Sequence, residues 1–193
     1  MRGGDAAAKL RPMADRPLGV SRRNQPAPGD ALLHPLAIAA LCLLLVNDHV
    51  LKAAAPGAIT GKLSDFAGLA FFPVLLVAAW ELALAGLCRW SAPSRAATFV
   101  ACSTTALVFV LAKTVPSFAE LLGWSIGAAQ WLLAIPVRLL ADSPSAISPA
   151  SVVVDETDIV AVLAMAVPLW IGQRRVRARQ PVRSRLPEPV PAR

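Results

Sequence analysis

The sequence predicts an all-α integral membrane protein, a bundle of about four transmembrane helices with one further helix at the outer face, interfacial or re-entrant. Three observations predict it. The 193 residues are 56% hydrophobic and only 16% charged, where soluble domains run at about 45–50% and about 25%. The charge that exists is gathered into two tails and a few short clusters, so the middle of the chain has too little polar cover for water. The apolar residues fall into runs that reach helix-spanning length, about 20 residues, once their polar ends are counted.

The tails come first. Residues 1–30 carry Arg2, Lys9, Arg11, Arg16, Arg22 and Arg23 among Pro, Gly and Ala, without apolar periodicity, and read as a disordered basic tail. Residues 173–193 form a second one, with seven arginines. The net charge of +7 raises nucleic-acid binding as a possibility, but basic residues on Pro-rich ends, without interleaved aromatics, fit the positive-inside pattern instead. The expected partners are membrane lipids, with other membrane proteins or a second copy of the chain next, and no nucleic acid. Cys42, Cys88 and Cys102 make no paired motif and read as small apolar residues.

Between the tails lies one transmembrane domain, 31–172. The first span, 32–54, has a purely apolar stretch too short to cross, so it must extend through Asn47, Asp48 and His49. Pro56-Gly57 ends it. The second span, 64–88, is the clearest, interrupted only by Glu81 and closed by Arg89 and Trp90. Before it, Thr60 to Asp65 supplies cap candidates and an acid for the first turn. The third span, 96–115, stops at Pro116. The last span, 152–172, is again short in its apolar part and borrows Asp155, Glu156 and Asp158, ending at Gly172. The segment 117–141 is ambiguous: a span, a re-entrant hairpin or an interfacial helix.

Charge arbitrates. With 117–141 outside the count, both tails and the 89–95 turn share one side, which then holds fifteen Lys and Arg against four on the other. With five spans the split is ten against nine. The polarised solution follows the positive-inside rule and puts both termini in the cytoplasm of a bacterial inner-membrane protein.

That topology brings three polar segments to one depth at the outer face. Charges inside a span cost about 2.5–3.5 kcal/mol each on insertion scales and are functional candidates by default. Asp48, His49, Asp65 and Asp158 are the candidate catalytic residues, for proton transfer or for holding a divalent metal. Asn47, Lys52, Thr60, Gly61 and Lys62 are the candidate substrate-binding residues, with the lysines and the Thr60-Gly61 backbone suited to a lipid phosphate. Blander readings compete. Asp65 and Asp158 would be favoured at any helix start. Asp48 and Lys52 can pair at i,i+4. Asn47 can join helices by a hydrogen bond, as can Ser103, Thr104 and Thr105. Glu81 stands apart as a partner in a proton or cation path, or as a side chain snorkelling beside Arg89.

The stretch Asn47-Asp48-His49-x-Leu51-Lys52, followed by Thr60-Gly61-Lys62-Leu63-Ser64-Asp65-x-Ala67-Gly68-Leu69, resembles an uncharacterised family of small bacterial multi-pass membrane proteins. So does Asp155-x-Thr157-Asp158. The resemblance leaves out the tails and implies a multi-pass fold without an activity. A fainter similarity is to VanZ-like membrane proteins, from which the Lys62–Phe66 stretch departs by lacking a histidine. The expectation is an envelope protein with a polar site at the outer leaflet, acting on a lipid or envelope precursor. The rivals are a small transporter or channel subunit using Asp48, Glu81 and Asp158, and a structural or assembly protein without substrate.

In a background without native cysteines, single cysteines at positions 52, 62 and 145 are expected to react with an impermeant thiol reagent from outside. Those at 92 and 180 are expected to react only after permeabilisation; outside labelling at 92 overturns the four-span order.

Overall fold

The computed structural model describes residues 26–55, 57–141 and 146–179. The proposed disordered tails lie outside these residues, apart from 26–30 and 173–179. The described chain is helical, without a strand. Four helices are long and apolar enough to cross a membrane: α1 (Pro35–Ala54), α2 (Ala58–Gly86), α3 (Arg95–Thr114) and the last, α6 (Glu156–Arg179). Between α3 and α6 lie α4 (Pro116–Leu133) and the short α5 (Ile135–Ala141).

Local chemistry sets the ends. His34 Nδ1 accepts the Leu36 amide at 3.2 Å, and Pro35 occupies the first turn of α1, where a missing N–H costs nothing. Ser94 caps α3 by accepting the Ala97 amide at 3.2 Å. Pro116 forces Val115 into an extended conformation, φ −116°, ψ 105°, so α3 stops and α4 starts at a corner. Asp155 caps α6 through the Thr157 amide at 2.9 Å.

Two spans are not uniform α-helix. In α1 the winding loosens to a π turn over Asn47–Leu51, the turn that carries the polar trio. In α6 the first ten residues, Glu156–Met165, are wound as a 3-10 helix before Ala166–Arg179 continues as α. Such runs usually end within three or four residues.

The central helix is α2, which packs against α1, α3 and α6. Its contacts are built from small residues: Ala37 of α1, Ala67, Ala70 and Ala78 of α2, and Ala161 of α6 are buried, letting the helices approach closely. Two apolar clusters fill the bundle, one around Ala31, Ala37, Val74 and Ile171, the other around Leu69, Cys102, Ala161 and Met165. The large apolar side chains instead point out: Leu36, Leu43, Leu45, Phe72, Trp80, Phe99 and Leu107 are all exposed. An exterior of this kind suits lipid.

Two expected boundaries move. α2 begins at Ala58, before Thr60 rather than after it. α6 does not stop at Gly172 but runs to Arg179. Gly172 is buried within the helix, and a Cβ there would stand 2.6 Å from the Thr98 side chain. Its missing side chain is what lets α6 and α3 touch. Ser103 and Thr104, expected as links between helices, face outward; Thr98 occupies the α3–α6 contact instead.

Gly172→Val is therefore expected to destabilise the protein by about 1–3 kcal/mol through overpacking, read as a lower melting temperature in detergent. Adding Thr98→Gly should recover most of the loss.

Candidate functional site

The expected polar residues gather at one end of the bundle, in two linked groups on either side of the α2 N-terminus. The first belongs to α1 and α2. Asn47 is fully buried, and its amide donates to the Thr60 carbonyl at 2.7 Å and to Ser64 Oγ at 2.6 Å. Ser64 in turn donates to Asp48 Oδ1 at 2.5 Å. Asp48 also pairs with Lys52 at 2.7 Å across one helical turn. Asn47 thus joins helices by hydrogen bonds. His49 is exposed on the same π turn.

The second group joins α2, α3 and α6. Lys113, at the end of α3, contacts Asp158 Oδ2 at 2.7 Å and Asp65 Oδ2 at 2.9 Å. Lys62 contacts the other Asp158 oxygen at 2.7 Å and donates to Thr157 Oγ1 at 2.6 Å. Asp155 stands 3.9 Å from Lys62 at the rim. The four inner groups carry two positive and two negative charges, so the quartet is neutral and each member faces an opposite charge within 3 Å. Asp155 adds one negative charge. Hydrogen bonds from the Thr157 hydroxyl and amide hold its carboxyl below the usual range. The cap it provides is present above that range and is lost as pH falls through the lowered value.

Asp65 lies eight residues into α2, too far from the end to owe its place to the helix dipole; its partner is Lys113. Thr60 is the capping residue, accepting the Gly57 amide at 3.1 Å and donating to the Gly57 carbonyl at 2.9 Å. The Gly61 amide donates to the Gly57 carbonyl at 3.0 Å, so helix bonding already uses it. Among the described residues no group of three or more His, Cys, Asp or Glu side chains is placed to hold a metal ion.

A second site lies at the opposite end, where sequence reasoning marked Glu81 but not its partners. Glu81 is 2% exposed and Arg175 is 9% exposed. Arg175 Nη1 and Nη2 bind the two Glu81 oxygens at 2.9 and 2.8 Å, the fork geometry that suits arginine to carboxylates. The same guanidinium pairs with Asp30 and donates to the Ala27 carbonyl at 3.1 Å. Gly29, at φ 78°, donates its amide to Glu81 Oε2 at 3.0 Å; the left-handed turn there favours glycine. Glu81 therefore neither snorkels beside Arg89 nor stands free. The sequence does hold a signal, because an acid inside a long apolar helix asks for a cation. Its partner lies 94 residues away, past the glycine that looks like a helix end.

Compared with known protein families, curated proteins and solved structures, the chain gives no match in any of the three. Its function rests on the geometry of its own residues.

Removing one partner of a buried ion pair costs about 3–5 kcal/mol because the other charge is stranded. Arg175→Met is accordingly expected to cut stability by that order, measured by thermal unfolding. Arg175→Met combined with Glu81→Leu should recover most of it, whereas Lys52→Met, at an exposed pair, should change stability by less than about 1 kcal/mol.

Proposed function

We propose that the chain is a multi-pass protein of the bacterial inner membrane, with both termini cytoplasmic, and that its outer polar cluster fastens helices in a structural or assembly role without a substrate. The orientation is supported by where unpaired basic charge sits. The contacts of Glu81 with Arg175 and of Thr98 with Gly172 bring the Arg89–Arg95 turn and the end of α6 to the same side. At the other side Lys52, Lys62 and Lys113 are each matched to a carboxylate, which leaves Arg138, over the Trp131 ring, as the one cation there without one among the described residues. The positive-inside rule then puts the arginine end in the cytoplasm.

The observation that carries the fastening role is the neutral quartet of Lys62, Lys113, Asp65 and Asp158, closed by contacts of 2.7–2.9 Å across three helices. A lysine saturated by carboxylates offers little to a lipid phosphate, and a carboxylate saturated by ammonium groups is a poor base. A transporter would need charge distributed through the depth of the bilayer, while Glu81 at the far end is consumed by Arg175.

A second reading, a site for a lipid or envelope precursor at the outer leaflet, draws on one observation: the π turn at Asn47–Leu51, a distortion often found at functional sites. It leaves Asp48, His49 and Lys52 exposed.

The two readings separate experimentally. Under the fastening role, Lys113→Met lowers the melting temperature sharply, and Lys113→Met with Asp65→Leu recovers part of it. Lipid retained by the purified protein, measured by native mass spectrometry, is then the same for wild type and for Asp48→Asn/His49→Ala. Selective loss of one lipid class in that double variant, with stability unchanged, replaces the fastening role by the precursor site.

A further inference from the structure

The segment 117–141, ambiguous in sequence, has a built-in orientation. α4 leaves α3 at the Val115–Pro116 corner, and among the six helices it packs chiefly on α3 and α5. The chain comes back as an extended strap, 146–154, which runs antiparallel along α4. Ser148 lies over Gly127 and Ala150 over Gly123: a Cβ on Gly123 would stand 2.6 Å from the Ala150 carbonyl oxygen, and one on Gly127 would collide with that of Ser148. The two glycines, with buried Ala119 one turn earlier, make the seat in which the strap rests.

The strap's backbone is the constraint. Among the described residues, one backbone hydrogen bond holds it, from the Ala150 amide to the Gly123 carbonyl at 2.9 Å. Its other amides and carbonyls need water, because unsatisfied backbone in hydrocarbon costs several kcal/mol per group. The strap side of α4 is thus the wet side. At about 100° per residue, Glu120 falls on the flank of the glycine stripe and Gln130 in line with it, and both are exposed. The side turned away from the strap is apolar. Leu121 is 63% and Leu132 is 60% exposed, nearly opposite the glycines, and Trp124 at the flank is 46% exposed. Ser125, on this side, donates its hydroxyl to the Leu121 carbonyl at 2.8 Å, which makes it tolerable in lipid, and Ser117, on the Trp124 flank, sits in the first turn at the α3 corner. Beyond α4, Val137 and Leu139 of α5 are also exposed, and Arg138 sits over Trp131 at 5.6 Å.

We propose that α4 and α5 dock on the outer-leaflet lipid surface, lying in its plane with the strap toward water and Leu121, Trp124 and Leu132 toward the acyl chains. The occupant is lipid because α4 starts at the end of α3, a helix long and apolar enough to cross a membrane, with Val115 exposed at the corner between them. The water the strap needs also forbids a transbilayer or deeply re-entrant course. Amphipathic helices of this kind sink roughly 5–10 Å into the headgroup and acyl boundary. The proposal rests on the membrane reading above and adds the depth and facing of this hairpin.

The test is fluorescence quenching of Trp124 in the full chain, with the other four tryptophans changed to Phe, reconstituted in phosphatidylcholine vesicles brominated at shallow or deep acyl positions. A second chain keeps only Trp80, in α2, as the membrane control. Trp124 is expected to be quenched more by shallow than by deep bromines, with Trp80 also quenched. Trp124 unquenched while Trp80 is quenched overturns the docking alone, whether water or a second copy covers the helix. Stronger quenching by deep bromines overturns the interfacial depth in favour of a re-entrant or spanning course. Neither residue quenched overturns the membrane reading and the docking with it. If the tryptophan-depleted chains do not fold, a nitroxide at Leu121→Cys, with the native cysteines replaced, measures the same depth. Oxygen access exceeding that of a polar relaxant by the ratio typical of the interface supports the docking, and a fully water-like ratio overturns it.

Discussion

A charge placed where water cannot reach must find its opposite inside the protein, and this requirement organises the bundle. α6 carries the two residues on which it bears hardest, Asp158 near its start and Arg175 near its end. Asp158 is met by Lys62 of α2 and by Lys113 of α3, which also holds Asp65 of α2, and Arg175 is met by Glu81 of α2. Between them the buried face of α6 holds Ala161, Met165, Pro168, Ile171 and Gly172, with Gly172 set against Thr98. The ion pairs add to the register that this contact favours. Sliding α6 by one turn would strand both charges at once, and the cost of stranding one, about 3–5 kcal/mol, is a large fraction of the roughly 5–15 kcal/mol that holds a typical domain.

The two ends solve the problem differently. At the Glu81 end the solution is one bidentate pair, tied in turn to the backbone of the turn before α1, so that Ala27, Gly29 and Asp30 become part of the bundle. At the Asp158 end two lysines and two aspartates share their contacts, and no single pair can be named as the bond. Lysine's compact ammonium suits this role, since it can face two carboxylates at once, while arginine's fork suits a single buried acid. His34, at the start of α1, belongs to the first end. Its ring stands edge-on to Trp170 at 5.4 Å, and its Nδ1 accepts the Leu36 amide.

The spans were legible because apolar length is a strong signal, and the corner at Pro116 because proline dictates its own backbone. The meeting of Asp48, Asp65, Asp158 and Lys62 near one end followed from alternating direction alone. What was not legible was pairing. Nothing local distinguishes Arg175 from the arginines around it, and Gly172 carries the usual mark of a helix end while serving as a contact. Asp65 looked like a first-turn acid because the true start, at Ala58, is set by Thr60 folding back on Gly57, a cap that precedes the apolar run. Nor did the apolar pattern mark the 3-10 winding of Glu156–Met165, which ends just before Pro168.

That winding has a geometric consequence. Ten residues at about 2.0 Å rise instead of about 1.5 Å make α6 about 5 Å longer than an unbroken α-helix of the same 24 residues. The difference is comparable to that between thick and thin biological membranes. With Asp158 and Arg175 each held by an ion pair, the distance between the two ends of α6 is set by its pitch.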